Sequence, residues 1–190
     1  AISIENARLY HAIERFVPRT FLELMGKRSL IDIQLGDNSK QDLTIVFTDI
    51  RDFTGLSEKM QPDEVFHFIN EYIQYMEPEI TKNHGLIDKY IGDAIMSIFQ
   101  KPDDAINAAI HMRQALNVFN QHRQQQGLKA IEVGTGINTG TVMLGTIGDE
   151  ERMDGSVISD SVNLAARLES LNKVYMTTMI ISEYCYNALT

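Results

Sequence analysis

Thr44-Ile45-Val46-Phe47-Thr48-Asp49-Ile50-Arg51-Asp52-Phe53-Thr54 is the stretch on which the fold turns. Its first half is β-branched and apolar, a composition suited to a pleated, half-buried surface, and it predicts a strand ending at Thr48. Asp49 stops the apolar run, and Ile50 to Gly55 carry their backbone amides into a tight turn. An aspartate at a strand end is rigidly held and partly solvated, which suits a hard cation shared with phosphate oxygens. Amides that follow it can face the same oxygens. An aspartate closing a strand is also an ordinary turn former, so the reading depends on a second acid.

That acid lies forty-four positions on, in Asp88-Lys89-Tyr90-Ile91-Gly92-Asp93-Ala94-Ile95-Met96-Ser97-Ile98-Phe99. Gly92 and Asp93 read as the tip of a hairpin between two apolar strands. If those strands flank the one ending at Asp49, both aspartates project at one end of the sheet and can hold two metal ions, the layout of two-metal phosphoryl chemistry. The plain alternative is a hairpin tip with no ligand.

Phe47-Thr-Asp-Ile-Arg-Asp-Phe-Thr54, Lys89-Tyr-Ile-Gly-Asp-Ala-Ile-Met96, Gly136-Ile-Asn-Thr-Gly140 and Asp160-Ser-Val-Asn-Leu-Ala-Ala-Arg-Leu-Glu169 follow one another in this order. The chain from Leu43 onward thereby resembles the catalytic domain of class III nucleotidyl cyclases, and four ordered motifs are far more specific than one.

With 190 residues the chain is long enough for one domain with a real core and a short appendage. A net charge of −9 argues against a nucleic-acid surface, so a polyphosphate must be met by metals and a few placed cations. Cys185 is the single cysteine, which excludes an internal disulfide, fits a reducing, cytoplasmic compartment and reads as a small buried hydrophobe. No apolar run approaches a membrane span and no signal peptide is visible, so no membrane contact is expected within these residues.

Ala1 to Phe16 reads as a helix with Ile2, Ala7, Leu9, Tyr10, Ile13 and Phe16 near helical or heptad spacing, a stripe that pairs with a copy of itself. It also resembles the last helix of a GAF-type sensor, which would make residues 1–40 the end of an upstream sensor domain and residues 41–190 the catalytic domain. Pro18 breaks that helix, a short helix runs from Thr20 to Met25, and Leu35 to Lys40 forms a polar loop. A long helix is predicted from Pro62 to Lys82, with Val65, Phe66, Ile69, Ile73 and Met76 on one face and His84 at its end. A second starts near Asp103 and turns Ala105, Ile106, Ala109, Met112, Leu116 and Phe119 inward, with Asn120 to Gln126 as its solvated end. Strands follow over Ile131 to Asn138 and Val142 to Ile147, separated by Thr139-Gly140. Next come a charged loop from Gly148 to Asp154, a short strand at Ser156 to Ile158, a helix over Asp160 to Leu171, a strand at Met179 to Ser182 and a helix over Glu183 to Leu189.

The order strand, helix, strand, strand, helix, strand predicts an α+β sandwich with a ferredoxin-like βαββαβ core and extra C-terminal strand and helix elements. The resemblance implies the same fold and a head-to-tail homodimer whose sites are shared between chains. It assigns Asp49, Asp93 and the Ile50 carbonyl to two Mg2+ or Mn2+ ions per site. The partner would supply Lys89 and Ser156 to the purine, Asn163 to the ribose and Arg167 to charge developing in the transition state. Asn163 follows Ser156 by seven residues and Arg167 by four more, as in the family, although an i, i+4 pair on an exposed helix face would look the same. Backbone amides of Phe53 and Thr54 would hold the terminal phosphates, with Arg152 a further candidate.

In the family, lysine with aspartate or threonine marks adenine, whereas glutamate with cysteine marks guanine, because the exchange inverts donors and acceptors. Lys89 with Ser156 therefore implies an adenylyl cyclase acting on ATP. The alternatives are a guanylyl cyclase, against which Lys89 stands, and a non-catalytic nucleotide-binding or dimerisation module, which usually loses a metal aspartate or the arginine. Asp52 and Ser159 stand where the family often has glycine, and the sequence stops before terminal strands that carry another phosphate-binding lysine in the family.

Overall fold

The computed structural model describes Arg8, Leu9 and Ile13, then residues 19–149 and 151–190. The helix expected over Ala1 to Phe16 lies outside the described residues apart from those three. The chain divides into two compact units, Asp42–Thr141 with Asp160–Thr190, and Ala1–Gln41 with Val142–Ser159.

The larger unit holds β1 (Asn38–Ile50) from Asp42 onward, β2 (Leu86–Ile91), β3 (Ala94–Phe99), β4 (Val133–Gly148) as far as Thr141, and β6 (Met179–Ile181). Their order is β2-β3-β1-β4, with β6 parallel to β4 through Thr135↔Met179 and Ile137↔Ile181. This is the ferredoxin-like order expected. β3 runs antiparallel to β1, pairing Thr44 with Phe99 and Thr48 with Ile95. One expectation is corrected here. The hairpin strands do not flank β1, since β2 pairs with β3 and lies outside it.

Helix α3 (Pro62–Lys82) starts with proline in its first turn, and the Glu64 carboxylate accepts from the Gln61 amide at 2.8 Å, which satisfies a donor the helix cannot. It buries Phe68, Tyr72, Met76 and Ile80, one residue per turn. Phe66, expected inside, is 71% exposed. At about 100° per residue it points some 200° from Phe68, so the helix cannot bury both. Helix α4 (Pro102–Gln125) buries Ala105, Ala109, Met112 and Phe119 as expected, with Ala108 in addition, while Ile106 and Leu116 are only half-buried. These side chains meet Val46, Ile50, Ile95, Phe99, Ile137 and Cys185 in one core. The end of α4 is not wholly solvated. Arg123 is buried over the rings of Phe68 and Phe119, at 4.9 and 5.7 Å, and donates to the Lys129 carbonyl at 2.9 Å.

β4 is one strand where two were expected. Gly140 does not turn the chain; a Cβ there would come within 2.4 Å of the Ser161 hydroxyl, so glycine admits helix α5 (Asp160–Tyr175). Gly136 serves the same contact more severely, its would-be Cβ lying 2.2 Å from the Glu169 amide nitrogen and 2.3 Å from the Ala165 carbonyl. β1 begins at Asn38 and α5 runs to Tyr175, both beyond the expected bounds. Ser182 caps α6 (Glu183–Asn187), accepting from the Cys185 amide at 3.0 Å, and Cys185 is buried.

In the smaller unit, α1 (Arg19–Leu24) buries Phe21, Leu22 and Leu24. The last six residues of β4 pair antiparallel with β5 (Met153–Ile158), Met143 facing Ile158 and Gly148 facing Met153. Thr146 binds the preceding loop twice, from its amide to the Asp37 carbonyl at 3.0 Å and from its hydroxyl to the Gln34 carbonyl at 2.8 Å. Among the described residues no helix is long and apolar enough to cross a membrane.

Candidate active site

β1 ends as a strand that delivers two consecutive residues to the site, Asp49 and Ile50. Gly92, at φ 65°, makes the reversal between β2 and β3 that sets Asp93 beside them. The Ile50 amide donates to Asp93 Oδ2 at 3.1 Å. Burial, followed by the hydrogen bond and charge of Asp49, pushes the Asp93 carboxyl up to about 7. A carboxyl whose ionisation is opposed in this way by burial and a neighbouring acid marks a place that a cation would relieve. Behind them stands Tyr72, fully buried, its hydroxyl pushed upward by burial first and by Asp93 and Asp49 after it. The Tyr72 and Thr48 hydroxyls influence each other without reaching hydrogen-bond geometry.

Asp52 follows in the left-handed region, at φ 54° and ψ 35°. Glycine would adopt this conformation without strain, and Asp is among the side chains that tolerate it best. Asp52 makes no side-chain cap, so the first amides of the short helix α2 (Phe53–Ser57) keep their donors uncapped. Gly55 leaves room beneath it, since a Cβ would stand 2.9 Å from the Asp52 carboxylate and push that exposed side chain aside. Ser159 behaves differently. Among the described residues only Asp52, His84 and Met176 are non-glycine with positive φ, so serine at 159 imposes no such strain.

Lys89 lies on β2, where a register shift between Ile87 and Lys89 bulges the strand. The bulge puts the Asp88 carboxylate 3.3 Å from the Lys89 ammonium. Asp88's side chain is only 2% exposed, and burial raises its carboxyl above the usual range. Asn163 and Arg167 are exposed one turn apart on α5. In the smaller unit Ser156 sits on β5, half-buried, and Arg152 lies just before it, exposed and 3.6 Å from Asp154. The structure thus brings Asp49, Ile50 and Asp93 together, with Phe53 and Thr54 on the same chain turn, and places Lys89, Asn163 and Arg167 on other elements of the larger unit. Among the described residues no group of three His, Cys, Asp or Glu side chains gathers as a metal cage.

Sequence reasoning passed over Arg51. Its amide donates to the Glu132 carbonyl at 2.8 Å, its Nη1 pairs with the Glu132 carboxylate at 2.9 Å, and its Nη2 donates to the carbonyls of Asn172 and Thr177. Arg51 therefore ties the strand end that carries Asp49 to the C-terminal end of α5. Its place two residues after Asp49 was the only available signal. Asp88 was likewise unused, although it adjoins Lys89.

Comparison with known proteins agrees with this frame. Residues 35–190 match the family described as the adenylate and guanylate cyclase catalytic domain. An adenylate cyclase of Anabaena cylindrica is 45% identical over 178 residues, which cover 90% of this chain and 36% of that protein. The chain thus spans little more than a third of that relative's length. The crystal structure of the guanylyl cyclase Cya2 superposes with a TM-score of 0.71 at 36% identity, over 83% of this chain and 81% of that one. That of the adenylyl cyclase CyaB from P. aeruginosa gives 0.72 at 34% identity, over 80% and 81%. The chain belongs to the adenylate and guanylate cyclase catalytic domain family.

Proposed function

We propose that this chain is an adenylyl cyclase, converting ATP to 3′,5′-cyclic AMP and pyrophosphate at sites shared by two chains arranged head to tail. The observation that carries the reading is the Asp49–Asp93 pair at one sheet end, where the Ile50 amide holds Asp93 and the neighbouring Asp49, after burial, resists its ionisation. Two carboxylates with the Ile50 carbonyl form an all-oxygen donor set, which fits Mg2+ or Mn2+ completed by substrate phosphates rather than by a full protein cage. Two ions bound there supply Lewis acidity that eases ionisation of the ribose 3′-hydroxyl and neutralises triphosphate charge.

The protein's own groups do the rest. Amides of Phe53 and Thr54 bind the terminal phosphates and hold the α-phosphorus in line, and Arg152 adds a cation to the same end. From the partner chain Lys89 and Ser156 meet the adenine edge, and Asn163 sets the ribose so that its 3′-oxygen faces phosphorus. The 3′-oxygen bonds to the α-phosphorus as the bond to the bridging oxygen breaks; the hydroxyl proton passes to solvent and pyrophosphate leaves. Arg167 offers a fixed guanidinium to the charge that grows on the phosphoryl oxygens, where it counts most. Asp88 holds the Lys89 ammonium at 3.3 Å and so limits its reach. Residues 1–40 are assigned to the end of an upstream signalling segment that feeds the catalytic residues 41–190.

The resemblance to both an adenylyl and a guanylyl cyclase makes the purine the point to test. Incubation with Mn2+ and each purine triphosphate, followed by product analysis, should yield cyclic AMP from ATP in clear excess over cyclic GMP from GTP. Preference for GTP would replace the ATP assignment, and no cyclic product from either would overturn the enzymatic reading.

A further inference from the structure

A cavity of about 490 Å³ opens in the larger unit among the end of β1, the start of β4, helix α4 and β6. None of the groups assigned to metal or nucleotide lines it, although Thr48 and Arg51 on its wall flank Asp49 in the chain. The volume is that of a small-molecule site, typically about 300–1,000 Å³. Its walls combine an apolar floor, including Met76 and Met112, with a cationic rim.

The titratable groups that line it are Arg51, Arg113 and Glu132, so positive charge exceeds negative by one. Glu132 is already engaged by Arg51 at 2.9 Å. Arg113 is exposed, and among the described residues it donates to the neutral Thr178 hydroxyl, at 2.8 Å. Two polar atoms on the wall, Arg51 Nε and Thr48 Oγ1, are buried without a hydrogen-bond partner, a costly condition that a ligand acceptor would relieve. Met176 stands at the rim with φ 54°, 84% exposed, a strained and solvated position for a large apolar residue.

We propose that this cavity binds a small organic carboxylate with an apolar tail. The carboxylate accepts from Arg51 and Arg113, and the tail lies against the methionines. The site is separate from the nucleotide site and does not depend on the cyclase reading.

The test is calorimetric titration and thermal unfolding of the full chain with hexanoate, benzoate, hexan-1-ol and hexylamine, in the absence of nucleotide and metal. Hexanoate or benzoate should bind with Kd at or below about 1 mM, and the alcohol and the amine at least about tenfold more weakly. Arg113→Gln, at an exposed position, should weaken the carboxylates by about tenfold and leave hexan-1-ol unchanged, whereas Met176→Asp, at the exposed rim, should weaken the carboxylates by about tenfold and the alcohol less. Asp93→Asn should not alter carboxylate binding. The proposal is overturned if neither carboxylate binds up to about 10 mM, or if acid and alcohol bind alike. Indifference of carboxylate affinity to both rim variants, or its loss in Asp93→Asn, would overturn it too.

Discussion

The backbone amide of Ile50 donates to Asp93 Oδ2 at 3.1 Å, so the last residue of β1 fixes the carboxylate at the tip of the neighbouring hairpin. Asp93 is thereby held beside Asp49 by the backbone alone. This preorganisation has a cost in the metal-free protein, because two acids compete for one small volume.

That cost has a defined pH window. Asp93 titrates near 7 in the fold against an ordinary 3.8, so between these values the fold holds a proton that the unfolded chain has released. The stabilising contribution is complete below the unfolded value and is lost as pH rises through about 7. Asp93→Asn, which keeps an acceptor for Ile50, should therefore melt higher than wild type in metal-free buffer at about pH 8, with the gap closing toward pH 4. Mn2+ should raise the melting temperature of wild type by several degrees and leave the variant unmoved. Equal melting at both pH values would contradict the opposed pair.

Sharing of the site between chains is tested by complementation. Asp49→Asn and Arg167→Ala should each lower the rate by at least about a hundredfold as pure proteins. Equal amounts, co-refolded, form mixed dimers in about half of cases, each with one intact site, so activity should return to about a quarter of wild type. A mixture as inactive as its components would show that each site is built from one chain.

For the purine, Lys89→Glu combined with Ser156→Cys should reduce cyclic AMP formation by at least about a hundredfold and raise the GTP-to-ATP ratio. An unchanged ratio would remove both residues from base recognition.

Gly136→Ala should cost about 1–3 kcal/mol in denaturant unfolding, since the new methyl meets the α5 backbone and not a movable side chain. Displacing α5 also displaces Asn163 and Arg167, so kcat should fall more than KM rises. Wild-type stability and kcat would show that the helix absorbs the methyl without shifting.

Asp52→Gly relieves the left-handed strain at φ 54° and removes a negative charge one residue before Phe53. Greater freedom of glycine in the unfolded chain offsets the first gain, so the melting temperature should stay nearly level. KM for ATP should fall about two- to fivefold. A rise in KM would show that the Asp52 carboxylate helps to bind substrate or metal.

Features governed by neighbours along the chain were legible from residues alone. Helix α3 begins at Pro62 and ends at Lys82 as read, because proline, the first-turn acids and the turn at Asn83 act locally. Gly92-Asp93 read as a hairpin tip for the same reason, and the resemblance of the ordered motifs to a known family suggested Asp49 and Asp93 as one pair. Tertiary structure decided what depends on residues distant in sequence. Thr139-Gly140 looks like a break, yet β4 runs through it, because Gly140 answers to Ser161 on a packed helix and not to a turn. Arg123 reads as solvated and is buried, since the rings that receive it come from α3 as well as its own helix. Arg51 stands two residues after Asp49 and nothing nearby in the sequence marks it. Only the fold brings it to Glu132, Asn172 and Thr177, more than eighty residues away. Periodicity and turn chemistry specify elements because their energies are local, whereas a bridge such as Arg51 exists only once the chain has closed those loops.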